Sequence, residues 1–456
     1  MARRTAHLAR FGLLAIAAGA LFAAQPAPVS AWSQYRGNAE RTGIATWPLD
    51  RPPPAGRALS SISLGAASMI DSSPVVASNG IVYLAARTER GSLHAIGPSG
   101  VIWSSFVEGF DVRATPALLP DGRLVVVGSN VRGTLDRTGE ARTSSRERVF
   151  ILSGSDGRIT HRTDLYANAF MRSPVADSAG RIYWSFGDLL YRLATRTSGS
   201  RLVAQRLVSA TGNLTSEFEL PIWLSVPPPG FPPEPLLQPS PAFSSACDDI
   251  VGTGVSARSY RFWPATLRGW AKQLTLQTTP AVGASGHAYV GMYSSRTSEG
   301  SLAALSQTGA ILWRTRVSGR PAAPPAIGPA PAGGVRSCKR QDGSAFATTR
   351  RDRIYFTTYG PELQGGRLYA VDDNGRIRWA RRLTGQPGPP VVVQLQSEEL
   401  ILVASGSRTG PNFLYAARSR GDHLWARPLA GQALGSPAIA GGLIYVATRT
   451  RLHRFR

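Results

Sequence analysis

Short apolar runs of four to six residues alternate with turns rich in glycine, proline and asparagine along most of the chain. Runs of this length that contain many β-branched and aromatic residues are typical of β-strands. No stretch after residue 31 sustains the 3.6-residue apolar period of an amphipathic helix. The pattern therefore predicts an all-β protein.

The apolar runs belong to a repeat that opens with a small residue or proline followed by proline. Eight copies, numbered here as repeats 1 to 8, recur about every 52 residues: Ser73-Pro74, Thr115-Pro116, Ser173-Pro174, Ser240-Pro241, Thr279-Pro280, Pro324-Pro325, Pro389-Pro390 and Ser436-Pro437. Self-similarity with a period near 50 residues is typical of propellers and solenoids. The repeat should therefore be the structural unit of the fold.

Each repeat has the same internal order of strands and turns. In repeat 1, a strand over residues 81–84 is followed by a second over 93–96 and by a tight turn that ends in glycine. The final strand carries a tryptophan in four copies, namely Trp103, Trp313, Trp379 and Trp425. These signals predict four short antiparallel strands in each repeat.

Eight four-stranded sheets can bury both faces if they stand radially around an axis, as in an eight-bladed β-propeller. Repeat 8 has only three strands before residue 456, whereas residues 58–64 form an unassigned strand before repeat 1. We therefore predict that this N-terminal strand completes the eighth blade and closes the ring.

The first 31 residues have the features of a secretory signal peptide. Arg3, Arg4 and Arg10 precede an uncharged apolar stretch over 11–24, and small residues follow at 29–31. The apolar stretch is shorter than the ~20 residues that a transmembrane helix needs. We therefore expect a signal peptide over 1–31, a lead-in over 32–55 and a propeller over 56–456. The mature chain should be periplasmic or extracellular, without a transmembrane segment.

Residues 368–379 read LYAVDDNGRIRW, and this phrase resembles the repeat of the quinoprotein-like (PQQ-like) β-propellers. That family includes quinoprotein alcohol dehydrogenases and the outer-membrane assembly lipoprotein propeller. The lead-in WSQYRGNAERTG at 32–43 is similar to the segment that precedes many such repeats. The resemblance extends over residues 32–456. It implies that Ala370 and Gly375 are structural and that Trp379 packs flat against a neighbouring blade, while His161 replaces the tryptophan in repeat 2.

The residues that most quinone dehydrogenases of this family use are not found here. Their adjacent cysteines have no counterpart, because Cys247 and Cys338 are 91 positions apart. An oxidising compartment would permit these two cysteines to form a disulfide, and the sequence leaves the pairing open. No position for the acidic catalytic base can be carried over. We therefore predict no catalytic residue and no cofactor, with a divergent PQQ-dependent dehydrogenase that oxidises an alcohol or a sugar as the alternative.

Other catalytic and metal-binding patterns are also missing from the sequence. The five histidines after residue 31 are scattered without ligand spacing: His94, His161, His287, His423 and His453. The acidic run at 372–374 could suggest calcium, but an Asx turn between strands explains it more simply. The tripeptide at 420–422 spells an adhesion motif, yet it lies where other repeats have their turn. We therefore predict no metal site.

The net charge of +23 comes almost entirely from arginine. A basic surface attracts anionic partners, although a uniformly solvated arginine surface without a specific partner is the simpler alternative. Three insertions, over 129–147, 221–239 and 328–351, offer loops for binding. We therefore expect a monomeric, non-catalytic binding or scaffold module for a protein or an anionic envelope polymer, with no role in binding nucleic acid.

Overall fold

The computed structural model describes residues 32–37, 43–47, 59–220 and 275–456 with short internal gaps, and every regular element in these ranges is a β-strand. The gaps are 66–68, 71, 89–90, 108–111, 113, 136–140, 167–172, 177–180, 187–188, 197–198, 207–217, 277–280, 284–286, 295–298, 306–310, 330–335, 340–344, 349–351, 361–364, 396–397, 408–409 and 434. The segment 1–31 and the opening of repeat 4 lie outside the described residues. Within these ranges, the protein contains no helix with the length and hydropathy needed to cross a membrane.

Two strands precede the repeats, and each sheet is named after the repeat that supplies most of it. The first strands are β1 (Ile44–Thr46) and β2 (Ser60–Ser63). Sheet 1 contains β3 (Met69–Ile70), β4 (Val75–Val76), β5 (Val82–Thr88), β6 (Gly91–Ile96) and β7 (Val101–Ser105). Sheet 2 contains β8 (Ala117–Leu118), β9 (Arg123–Leu135), β10 (Ala141–Ser153) and β11 (Ile159–Tyr166). Sheet 3 contains β12 (Val175–Ala176), β13 (Arg181–Phe186), β14 (Leu189–Arg196), β15 (Gly199–Arg206) and β16 (Phe218–Leu220).

Four more sheets and one separate hairpin follow residue 274. Sheet 5 contains β17 (Thr275–Leu276), β18 (Ala281–Val282), β19 (Ala288–Ser294), β20 (Glu299–Leu305) and β21 (Ile311–Val317). Sheet 6 contains β22 (Arg320–Pro321), β23 (Ala326–Pro329), β26 (Asp352–Tyr359), β27 (Gly366–Asp372) and β28 (Ile377–Leu383), and the hairpin pairs β24 (Arg336–Lys339) with β25 (Ala345–Thr348). Sheet 7 contains β29 (Gln386–Pro387), β30 (Val391–Gln394), β31 (Glu399–Gly406), β32 (Phe413–Arg418), β33 (His423–Pro428) and β1. Sheet 8 contains β34 (Ala438–Ala440), β35 (Leu443–Ala447), β36 (Arg451–Phe455) and β2.

The prediction of an all-β protein with antiparallel sheets is confirmed, and the seven sheets of the described residues contain four to six strands where four were predicted. In sheets 1, 2, 5, 6 and 7, the last strand of the repeat lies at one edge of the sheet, and we call it the outer strand. The four tryptophans lie on outer strands, each opposite an alanine: Ala95↔Trp103, Ala304↔Trp313, Ala370↔Trp379 and Ala416↔Trp425. A small residue opposite the indole leaves room for the ring on that face. His161 occupies the corresponding position of sheet 2, opposite Ile151.

The hydrophobic core lies between neighbouring sheets. One buried cluster combines residues of sheets 7, 8 and 1, among them Leu402, Ile444 and Leu84, each at most 1% exposed. The short strands that follow the proline motif also contact their neighbours, with β34 against β4, β8 against β12, β18 against β23 and β23 against β30. The last repeat therefore packs directly against the first.

Three segments differ from the simple interpretation of the sequence. The insertion over 129–147 was expected as a loop, but most of it extends β9 and β10 as one long hairpin, with Arg146 opposite Asn130 and Ala141 opposite Leu135. Part of the 328–351 insertion forms the β24–β25 hairpin. The lead-in supplies β1, which pairs in parallel with β30, an arrangement that the antiparallel repeat pattern did not predict. The proline-rich insertion over 221–239 lies outside the described residues.

Candidate functional site

The Ser/Thr-Pro motifs form a chain of hydrogen bonds between consecutive repeats. The backbone N–H of Ser436 donates to Ser73 Oγ at 2.8 Å, and the N–H of Ser73 donates to Thr115 Oγ1 at 3.0 Å. The N–H of Thr115 in turn donates to Ser173 Oγ at 3.1 Å. The hydroxyl groups of Ser73, Thr115 and Ser173 therefore each accept a hydrogen bond from the preceding repeat, and repeats 8, 1, 2 and 3 are linked in this order. We call the region where these motifs meet the hub.

Repeats 6 and 7 carry proline in place of the hydroxyl residue, so their motifs have neither the side-chain oxygen nor the backbone N–H. The buried side chain of Arg36 contacts these motifs instead. Its Nη1 donates to the carbonyl oxygens of Pro324 at 3.2 Å and Pro390 at 2.9 Å, and its Nη2 donates to that of Pro325 at 2.6 Å. Arg36 is fully buried. One guanidinium from the lead-in thus joins the two repeats that lack the hydroxyl.

The lead-in crosses the hub and binds several sheets through its backbone. Trp32 forms an antiparallel bridge with Val76 of sheet 1, and the Ser33 carbonyl accepts from Leu118 N–H of sheet 2 at 2.7 Å. Farther along, β1 extends sheet 7, and Trp47 N–H donates to the Gln394 carbonyl at 2.9 Å. Residues 32–37 and 43–47 therefore act as a strap over sheets 1, 2, 6 and 7. The repeat pattern could not reveal this strap, because its contacts join a segment outside the repeats to residues 44 to 354 positions away.

At the outer strands, each of three tryptophans covers a turn glycine of the next sheet. The rings of Trp103, Trp313 and Trp379 lie against Gly157, Gly375 and Gly421, respectively. Their indole N–H groups donate to backbone carbonyls of the same turns: Gly154 at 3.1 Å, Asp373 at 2.7 Å and Ser419 at 2.7 Å. The fourth tryptophan, Trp425, is buried in the cluster that joins sheets 7, 8 and 1. The tryptophans therefore contact neighbouring sheets.

Replacement of Gly375 by alanine should destabilise the protein by about 2 kcal/mol, roughly 1 from the left-handed backbone and the rest from displacement of the indole. Gly375 has φ +83°, and a Cβ there would lie 2.8 Å from the Trp313 ring. Gly80 provides a matched control, since its φ is +81° and a Cβ would meet nothing within 4 Å. Denaturant unfolding should show a larger loss for Gly375→Ala than for Gly80→Ala. Equal losses would contradict the tryptophan–glycine contact.

Two buried carboxylates lie between sheets, and each accepts a hydrogen bond from a tyrosine of the preceding sheet. Tyr289 Oη donates to Asp352 Oδ2 at 2.8 Å, and Tyr355 Oη donates to Glu399 Oε2 at 2.8 Å. The side chains of Asp352 and Glu399 are accommodated by glycines at 283 and 328, where a Cβ would come within 3 Å of a carboxylate oxygen. Among the described residues, Oε1 of Glu399 has no hydrogen-bond partner. Burial raises the pKa of Glu399, and the Tyr355 hydrogen bond and the charge of Arg353 oppose this shift only in part.

The raised pKa of Glu399 predicts a pH-dependent stability. An acid whose pKa is higher in the folded state stabilises the fold while it is protonated, and this contribution is lost as the pH rises from the ordinary glutamate pKa through the raised one. Glu399→Gln should remove that loss, so the variant should gain stability relative to the wild type as the pH rises above the ordinary pKa of glutamate. Urea unfolding across this range measures the difference. Glu398→Gln, at a partly exposed glutamate that pairs with Arg418 at 3.3 Å, is the control; an equal gain there would contradict the assignment to Glu399.

The remaining residues singled out in the sequence have structural contacts. Asp372 Oδ1 accepts from the N–H groups of Asn374 at 3.1 Å and Arg376 at 2.8 Å, which is the geometry of an Asx turn. Asp422 pairs with Arg420 at 2.6 Å inside the turn covered by Trp379. The buried His94 ring bonds Ser104 Oγ at 2.8 Å and the Ala86 carbonyl at 3.1 Å. Within the described ranges, no three His, Cys, Asp or Glu side chains converge as metal ligands would.

The proposed disulfide has no structural description. Cys247 lies outside the described residues, and for Cys338 only the backbone of β24 is described. The pairing of the two cysteines therefore stays a prediction.

Comparison with known proteins gives one family match and several similar structures. Residues 364–455 match the family model described as outer membrane protein assembly factor BamB. This match confirms the resemblance of the repeat to the PQQ-like β-propellers, and it covers the end of sheet 6 and sheets 7 and 8. No curated protein matches the chain.

Three of the similar solved structures illustrate the range of proteins found. BamB from Moraxella catarrhalis is 10% identical with a TM-score of 0.42, over 88% of this chain and 99% of that chain. A europium-containing methanol dehydrogenase is 12% identical with a TM-score of 0.45, over 92% and 89% of the two chains. The Dos1 propeller is 9% identical with a TM-score of 0.32, over 85% and 94%.

Proposed function

We propose that the protein is an exported, non-catalytic β-propeller that binds a protein or an anionic component of the cell envelope. The observation that supports this most is the use of the repeat residues in contacts between sheets. The tryptophans cover turn glycines of the next sheet, and the hydroxyl groups before the prolines link consecutive repeats. Residues with these roles hold the scaffold together. The loops and outer strands are therefore the parts that can bind a partner.

The architecture proposed for this scaffold is a closed ring of eight blades. Repeat 4 would supply the blade whose opening motif lies outside the described residues. Closure between repeats 8 and 1 is supported by β2, which pairs with β36 through Ser60↔Arg454 to Ser63↔Arg451. The bond from Ser436 to Ser73 and the contact between β34 and β4 support the same closure. The propeller would then span 56–456, with the lead-in over 32–55.

The alternative is a divergent PQQ-dependent dehydrogenase that oxidises an alcohol or a sugar. Such an enzyme needs space for a quinone at the hub. Here the strap crosses the hub, and the Arg36 guanidinium is bound to three proline carbonyls there. This use of the hub by the chain itself supports the non-catalytic function.

A cofactor titration distinguishes the two functions. We expect no change in the absorbance or fluorescence of the protein when PQQ and calcium are added, and no dye-linked oxidation of alcohols or sugars. The Arg36→Lys variant should behave in the same way. Saturable quinone binding accompanied by substrate oxidation would overturn the proposal and favour the dehydrogenase.

The proposed location is the periplasm or the extracellular space, and the proposed state is a monomer. The signal-peptide pattern of residues 1–31 supports export. The family match over 364–455 makes participation in outer-membrane protein assembly a specific form of the proposed binding function. N-terminal sequencing of the protein from an envelope fraction should find Trp32 as the first residue. An N-terminus that retains residues 1–31 would contradict export by cleavage.

A further inference from the structure

The outer strands of sheets 5 and 6 expose aliphatic side chains beside arginines. On β21, Ile311 and Leu312 are 43% and 46% exposed, and on β28, Ile377 is 37% exposed. The same two strands carry exposed arginines at positions 314, 316, 378, 381 and 382, and Arg376 precedes β28. Large exposed aliphatic groups are costly in water unless a partner covers them.

Some of these arginines are paired and others are not. Arg316 lies 3.4 Å from Glu299, and Arg378 lies 2.9 Å from Asp372. Within the part of the chain that the structure describes, the guanidinium groups of Arg314, Arg376 and Arg382 have no carboxylate within ion-pair distance. This surface therefore carries positive charge that its own carboxylates do not neutralise.

The two outer strands are neighbours, because the seam between sheets 5 and 6 joins β21 to the turn that leads into β28. Trp313 of β21 donates to the carbonyl of Asp373, and Thr315 of β21 donates to that of Gly375, both in the turn that leads into β28. We call Ile311, Leu312, Arg314, Arg376, Ile377 and Arg382 the rim patch.

Sheet 1 provides a contrast within the same fold. Its outer strand β7 also exposes an aliphatic residue before the tryptophan, since Ile102 is 54% exposed. Ser104 and Ser105 follow Trp103, however, whereas Arg314, Thr315 and Arg316 follow Trp313. Aliphatic exposure is therefore shared by several sheets, and its combination with unpaired arginines distinguishes the rim patch from β7.

We propose that the rim patch binds the surface of a bilayer that contains anionic lipids. Arginines attract and bind lipid phosphates, and aliphatic groups between them enter the boundary between head groups and acyl chains. The patch combines exposed aliphatic side chains with cations that no carboxylate of the described residues neutralises, and an anionic bilayer surface offers both a complementary charge and an apolar layer beneath it. This inference rests on the proposed binding function and names the chemistry of its partner.

Vesicle binding by the purified mature protein tests the inference. The wild type should bind vesicles of phosphatidylcholine and phosphatidylglycerol and should bind pure phosphatidylcholine vesicles far more weakly. The triple variant Arg314→Ser/Arg376→Ser/Arg382→Ser should lower the partition coefficient roughly 100-fold, about fivefold for each arginine. The control Arg158→Ser/Arg162→Ser/Arg456→Ser removes the same charge from other sheets and should change it less than about threefold. Leu312→Ser should weaken binding about fivefold, and Ile102→Ser should not.

The outcomes separate this inference from the proposed function. If both triple variants weaken vesicle binding equally, the rim patch is not the binding site. The proposed binding of an anionic envelope component would still hold. Failure of the wild type to bind anionic vesicles would overturn the lipid inference and leave a protein partner for the proposed function. Binding of polyglutamate, lost in the rim-patch variant, without vesicle binding would reassign the patch to an acidic protein. Quinone-dependent catalysis would overturn the proposed non-catalytic function, but it would not change the interpretation of the vesicle binding.

Discussion

Replacement of Arg36 by methionine is expected to destabilise the folded protein by about 3 kcal/mol, roughly 1 kcal/mol for each carbonyl that loses its donor. The Arg36 guanidinium binds the carbonyls of Pro324, Pro325 and Pro390, and the side chain is fully buried. Methionine matches the arginine stem as far as Nε and keeps its apolar contacts, but it leaves three buried oxygens without these bonds. Urea unfolding of the variant and the wild type measures the difference.

Two further variants separate the hydrogen bonds of Arg36 from its charge. Arg36→Lys keeps the positive charge but loses the planar fork that reaches carbonyls of two repeats, so we expect an intermediate loss. Arg316→Met removes an arginine whose side chain is 74% exposed, and it should change stability by less than about 0.5 kcal/mol. A loss for Arg36→Met no greater than that for Arg316→Met would show that the strap does not hold the hub together.

Deletion of residues 56–65 is expected to lower the melting temperature by about 10 °C or more. These residues include β2, which pairs with β36 and places Ile62 against the cluster that joins sheets 7, 8 and 1. Without β2, the backbone of β36 becomes an open edge, and the apolar cluster beneath Ile62 is exposed to water. Thermal unfolding followed by circular dichroism measures the loss.

A replacement variant controls for the shorter connection in the deletion. Residues 56–65 are exchanged for glycine and serine in the same number, which keeps the link between lead-in and repeat 1 but removes Ile62 and the strand propensity. We expect nearly the same loss of melting temperature as in the deletion. An unchanged melting temperature in both variants would mean that β2 does not contribute to the fold.

Much of the fold could be predicted from the sequence because its signals are local and recur. The glycine that ends each tight turn and the tryptophan a few residues later lie within one hairpin. Gly375 and Trp379 are an example, and both occur in the regular phrase 368–379. Strand order within a sheet follows from such hairpins, since short turns permit only antiparallel neighbours. The pairing of β2 with β36 also had a signal in the sequence, because residues 58–64 form an unassigned strand and repeat 8 has only three strands of its own.

The hub could not be predicted because its contacts depend on residues far apart in the chain. Arg36 lies 288 positions from Pro324 and 354 from Pro390. A signal was nevertheless present: Pro324 and Pro389 replace the hydroxyl residue of the motif and remove both a donor and an acceptor. Because those two groups link the other motifs to each other, a different group had to link repeats 6 and 7. The sequence also gave no sign that residues 129–147 extend a hairpin, since arginine-rich stretches resemble loops in composition.

The hydrogen bond between Glu399 and its tyrosine could not be predicted from the sequence either. Its tyrosine, Tyr355, lies on the preceding sheet, and no local pattern links a strand tyrosine to a glutamate 44 positions later. The rim patch was hidden for a different reason. The apolar start of β21 predicts that its first residues are buried, whereas Ile311 and Leu312 are exposed together with Arg314.

An engineered disulfide between β2 and β36 tests ring closure most directly. Ser63 lies opposite Arg451 in the register, so Ser63→Cys/Arg451→Cys should form a bond in the folded protein when Cys247 and Cys338 are replaced by serine. In the mismatched pair Ser60→Cys/Arg451→Cys, the two positions are about 10 Å apart, beyond disulfide reach. Mass spectrometry after mild oxidation should find the bond in the first variant and free thiols in the second. Free thiols in both variants, or equal bonding in both, would contradict a ring closed by the N-terminal strand.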